Sequence, residues 1–77
     1  MREVVEVLAR ALVDQPDEVD VEETGRKGDT VYLELTVAPG EMGKVIGRGG
    51  KIAAAIRTIA NTAAAKENLR AVVDIRS

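Results

Sequence analysis

The chain has 77 residues, no cysteine, no histidine, a single aromatic side chain (Tyr32) and a formal charge of −2. A chain of this length makes one domain with one thin core, exposing about 4,500 Å² once folded. Disulfides, zinc–thiolate sites and all histidine-based catalysis or metal binding are excluded, and readers that stack bases on exposed rings are disfavoured.

From the start of the chain, Val4, Val5, Leu8, Ala11 and Leu12 recur at helical spacing, with Arg2, Glu3, Glu6 and Arg10 between them. This pattern predicts an amphipathic helix from Arg2 to Val13, ended by Pro16 because the residue before a proline is pushed out of the α region. The period then changes to two. Val19 and Val21 alternate with Glu18, Asp20 and Glu22, which predicts a half-buried strand with a solvated acidic face. Gly25 to Asp29 reads as a turn. Val31, Leu33, Leu35 and Val37 alternate with Tyr32, Glu34 and Thr36 to give a second strand, paired with the first as a hairpin. Tyr32 falls on the polar parity, as a cross-strand packing residue or a partner contact.

Pro39-Gly40 closes that strand, and Glu41 to Ile46 allows one or two helical turns before Gly47-Arg48-Gly49-Gly50 interrupts them. A further helix is expected from Lys51 to Ala65, with Ile52, Ile56, Ile59, Ala60 and Ala63 on its apolar stripe and Asn68 as its stop. Ala71, Val73 and Ile75 then alternate along a third strand, with Val72 read as a sign of burial on both faces. The order is α-β-β-α-α-β over a single domain, 1–77. The expected fold class is α+β: a two-layer arrangement with a three-stranded mixed sheet and three helices on one face. No apolar run reaches the about 18 residues of a membrane span and no secretory leader is evident, so a soluble, cytoplasmic protein is expected.

Charge is divided along the chain: residues 1–41 carry −7 and residues 42–77 carry +5. Lys44, Arg48 and Lys51 fall in an acid-free stretch around the glycines. Backbone amides, a helix start and cations at one point describe a phosphate-binding site. Two nucleotide motifs fail there. A P-loop would need a glycine at Val45 and a hydroxyl at Ile52, and a dinucleotide fingerprint would need a glycine at Ile52 and a preceding strand. Carboxylates lie mostly on the solvated strand face, and no nucleophile has an adjacent base. An enzyme is therefore not expected, nor a cofactor or a metal site.

The run Val45-Ile46-Gly47-Arg48-Gly49-Gly50-Lys51-Ile52-Ala53 resembles the V-I-G-x-x-G-x-x-I stretch of KH domains, departing from it in having Ala53 for the final isoleucine. The element order resembles the type II KH arrangement. Length, loop and the Ala55–Ile59 run are similar to the small bacterial single-KH RNA-binding proteins of the KhpA family. This resemblance implies single-stranded RNA binding, with the GxxG loop against the backbone of about four nucleotides. Gly47, Arg48, Gly49 and Gly50 would approach the phosphates, Lys44, Arg48 and Lys51 would supply charge, and Ile46, Ile52 and Ala53 would floor an apolar groove. Arg57 would reach a phosphate or base edge, or form a surface ion pair. Val45, Ile56 and Ile59 are read as core. With three or four cations, the expected log–log salt slope is about −2 to −3.

The resemblance further implies an RNA chaperone or post-transcriptional regulator linked to cell shape or cell division. It would act as a homodimer or a heterodimer with a KhpB (Jag)-like KH protein. A protein-interaction adaptor that uses the fold mainly for dimerisation is the alternative, compatible with the acidic first half and exposed Tyr32.

Overall fold

The computed structural model describes all of residues 1–77. Its elements are α1 (Arg2–Leu12), β1 (Asp20–Lys27), β2 (Thr30–Thr36), α2 (Met42–Ile46), α3 (Lys51–Ala65) and β3 (Arg70–Arg76), with short 3₁₀ turns at Pro16–Glu18 and Arg48–Gly50. Folded exposure is 4793 Å², near the value expected from chain length. No helix is long and apolar enough to cross a membrane.

The sheet has the order β1-β2-β3. β1 and β2 are antiparallel, with Lys27 opposite Thr30, so the hairpin turn is only Gly28-Asp29. Gly28 has φ +61°, the positive value that the first position of a tight hairpin turn demands. The strands thus run further than the glycines suggest. A bulge between Glu23 and Gly25 absorbs Thr24, so Gly25, Arg26 and Lys27 belong to β1 rather than to a turn. β3 pairs parallel with β2, Thr30 opposite Arg70 and Thr36 opposite Arg76. A parallel neighbour requires a long crossover, and α2, the glycine loop and α3 supply it.

Val21, Val31, Leu33, Leu35, Ala71 and Val73 form the inner face of the sheet, packed against Val5, Ala9, Ile56, Ala60 and Ala64 of the helices. The outer face bears Tyr32 and, directly beside it, Val72. Val72 is 47% exposed, which corrects its reading as a residue covered on both faces: nothing packs outside this sheet.

α3 is turned differently from its hydropathy pattern. Its buried stripe is Ala53, Ile56, Ala60 and Ala64, because small side chains let the helix axis come close to the sheet. Ile59 is 43% exposed, not core as expected. The helix ends as predicted at Asn68, whose φ of +60° lets Leu69 N donate to Ala64 O at 3.0 Å and Asn68 N to Ala65 O at 3.0 Å.

Candidate nucleic-acid interface

The loop at the junction of α2 and α3 is built by three positive-φ glycines. Gly47 (φ +74°, ψ 171°) breaks α2, and Gly49 (φ +65°) and Gly50 (φ +77°) swing the chain into α3. Gly47 N donates to Gly43 O at 2.9 Å and Gly50 N to Gly47 O at 3.0 Å, so the loop holds its own shape. The amides of Arg48 and Gly49 donate to no backbone acceptor. Both residues are exposed, as is Lys51 at the first position of α3. Two free donors, a guanidinium, an ammonium and the positive end of a 15-residue helix therefore meet at one tip.

The other expected site residues are distributed differently. Ile46 is half-buried beside the loop. Ala53 is fully covered beneath α3, so it supports the site from the core and does not form an open floor. Ile52 is half-buried under Gly47: a methyl group placed on Gly47 would lie 2.6 Å from Ile52 Cγ1. The outward side of Ile52 lines an open groove of about 310 Å³ with Leu8, Leu12, Ala55, Ile56 and Ile59. That groove lies between α1 and α3, on the flank of α3 opposite Arg57.

Lys44 is engaged by the protein. Its Nζ pairs with Asp14 and, at 3.3 Å, with Glu41 Oε1. The hydrogen bond to Asp14, helped by Glu41, holds the ammonium protonated above the ordinary lysine range. A raised lysine pKa contributes stability below its unfolded value and loses it as pH climbs through the folded one, so the lysine's share of this clasp is lost on the alkaline side.

Arg57 forms no ion pair; its guanidinium is engaged by the backbone of β3. Its Nε and Nη2 both donate to Val73 O, at 3.2 Å each. One turn on, Asn61 exchanges two hydrogen bonds with Ala71: Ala71 N donates to Oδ1 at 3.0 Å and Nδ2 to Ala71 O at 2.9 Å. Pattern reading of the sequence misses Asn61. Its signal is spacing: a lone amide four residues after Arg57 in an alanine-rich helix must share that arginine's face.

Two helices joined by a GxxG turn, crossing between parallel strands of an αββααβ sheet, define a KH domain. A family model described as "KhpA/KhpB, KH domain" matches residues 2–75, and the chain belongs to that family. RNA-binding protein KhpA of Clostridium acetobutylicum is 55% identical, over 97% of this chain and 99% of that one. RNA-binding protein KhpA of Aquifex aeolicus is 46% identical, over 97% and 94%. In fold, the chain is similar to part of Aquifex aeolicus Era bound to GDP and aluminium fluoride (TM-score 0.77, 17% identity, 97% of this chain, 29% of that one). It is likewise similar to part of Era in complex with nucleotides 1506–1542 of 16S ribosomal RNA (TM-score 0.73, 17% identity, 97% of this chain, 28% of that one).

Proposed function

We propose that this protein binds single-stranded RNA without catalysing a reaction, through the Gly47–Gly50 loop and the flank of α3 that leads to Arg57. The observation that carries the reading is the pair of unoccupied amides at Arg48 and Gly49, flanked by the exposed cations Arg48 and Lys51. An RNA backbone offers what this tip lacks: anionic oxygens that accept from amides and need no side-chain bulk to reach them. The names of the KhpA relatives agree with it. Because Asp14 and Glu41 occupy Lys44, three cations (Arg48, Lys51 and Arg57) remain to displace counterions, and the salt slope is set at about −2.

The test is titration of fluorescent single-stranded RNA against the native protein and an Arg48→Asp/Gly49→Asp variant. Aspartate tolerates the left-handed backbone at position 49, so the variant folds while its charge repels phosphate. Binding is expected to fall at least about tenfold, the effect of about 1.4 kcal/mol or more. A folded variant with native affinity would overturn the loop assignment.

One domain with three phosphate contacts binds weakly, and a second module raises avidity without new contacts. A dimer, with a second copy or with a KhpB (Jag)-like KH protein, is the reading supported by the apolar groove of α1 and α3. It leaves Leu12 and Ile59 partly exposed along one apolar surface. Ile59→Asp is expected to make the protein monomeric by light scattering. If RNA binding were absent and this association intact, the protein would be an interaction adaptor instead. The cellular role proposed is that of a cytoplasmic RNA chaperone or post-transcriptional regulator acting on cell shape or division.

A further inference from the structure

β3 is an edge strand: β2 covers one side and no strand covers the other. In a parallel pairing, successive residues point their backbone groups alternately to the two sides. Arg70 N donates to Asp29 O and Val37 N to Arg76 O, so the even-numbered residues of β3 face β2. Ala71, Val73 and Ile75 therefore turn their N–H and C=O groups to the open side, where the Arg57–Asn61 flank of α3 runs antiparallel to them.

Two side chains fill part of this edge. Asn61 imitates a neighbouring strand at Ala71, taking both backbone groups, and its Nδ2 also donates to Arg57 O at 3.0 Å. Both Nδ2 hydrogens are committed, leaving a ligand at most the second lone pair of Oδ1. Arg57 takes Val73 O with two of its N–H groups. Val73 N–H and both groups of Ile75 stay open. They lie at the end nearest the glycine loop, because one helical turn back from Arg57 toward Lys51 advances about 5–6 Å, close to the length of two strand residues.

We propose that Arg57 and Asn61 set the length of the single strand the protein reads, by closing the β3 edge beyond Val73. A strand whose phosphates sit at Gly47–Gly50 meets free backbone donors and acceptors at Ile75 and Val73, which its base edges can match. At Ala71 the edge is already satisfied. Extra nucleotides in that direction gain no partner. The inference rests on the RNA reading above and adds the residues that limit its extent.

The experiment uses the full chain, ¹⁵N-labelled, with single-stranded RNA pools of randomised sequence, four, six and eight nucleotides long. In the native protein the amides of Gly49, Val73 and Ile75 are expected to shift on titration while that of Ala71 stays still. Affinity is expected to rise less than twofold from four to eight nucleotides, after correction for the number of binding registers. In Asn61→Ala the Ala71 amide is expected to respond, and the six-nucleotide strand to bind about fivefold tighter than the four-nucleotide one, the worth of one net hydrogen bond.

A native Ala71 amide that shifts together with Ile75 would overturn the proposal, with no dependence on how well the variant folds. So would an Asn61→Ala protein that keeps its fold by thermal melting and shows the native length dependence. Failure of the RNA reading itself looks different: Gly49 would then not respond to any strand.

Discussion

Glu41→Ala is expected to lower the stability of the domain by about 3 kcal/mol, a large share of the roughly 4–12 kcal/mol typical of a chain this size. Glu41 is the one charged residue in the buried set, 4% exposed. Oε1 accepts from Asp14 N at 2.7 Å and Oε2 from Gln15 N at 3.2 Å, while Lys44 Nζ sits 3.3 Å from Oε1. These bonds fasten the chain leaving α1 to the start of α2, two elements 26 or 27 residues apart in sequence. Truncation removes the acceptor for two part-buried amides, and each such loss costs about 1–3 kcal/mol. Lys44 is half-exposed and keeps Asp14, so its share is small. Glu41→Gln retains acceptor capacity and is expected to lose about half as much. Urea unfolding checks both: the midpoint falls while the slope m stays constant. A Glu41→Ala cost under about 1 kcal/mol would mean that water replaces the carboxylate and that the clasp is not what seats α1.

This clasp shows what sequence can and cannot disclose. Nothing in the sequence pairs Asp14 or Glu41 with Lys44, and only the fold reveals that two carboxylates converge on one ammonium. Sequence proximity alone groups Lys44 with the loop cations, whereas in the structure it is paired across the α1–α2 junction. β2 is legible because Val31, Leu33, Leu35 and Val37 are strictly alternate and one face of its sheet is covered. α3 is legible as a helix but not in its rotation. Alanine occupies seven of its fifteen positions, so the helix is apolar nearly all round and hydropathy does not single out a face. Close packing decides: Ala53, Ala60 and Ala64 go to the sheet, which leaves Ile52 and Ile59 toward α1 and Arg57 and Asn61 toward β3. The glycine loop is the most legible part of the candidate site, since its shape is a matter of backbone conformation, which glycine spacing specifies directly. What Arg57 does is not legible, because its acceptor is a carbonyl oxygen, identical in every residue.

Gly47→Ala is expected to cost about 3–4 kcal/mol, well above the same change at Gly49, although both belong to one loop. At φ +74° and ψ 171°, Gly47 lies in a region open almost only to glycine, worth about 1–3 kcal/mol for any other residue. Sterics add to this. The new Cβ would stand 2.6 Å from Ile52 Cγ1, 2.9 Å from its Cδ1 and 3.0 Å from its Cβ. Ile52 has little room to yield: it is β-branched, held near one rotamer within α3, and its Cβ moves only if the helix does. At Gly49, by contrast, an added methyl group would meet nothing within 4 Å, and the left-handed conformation there costs about 1–2 kcal/mol. The two variants therefore separate two functions of the motif. Gly47→Ala is expected to shift the unfolding midpoint strongly and to displace the start of α3, weakening RNA binding through the fold. Gly49→Ala is expected to melt closer to the native protein. Equal unfolding midpoints for the two would show that α3 yields to Gly47→Ala without cost, and that the packing of Ile52 beneath Gly47 does not hold the loop in its shape.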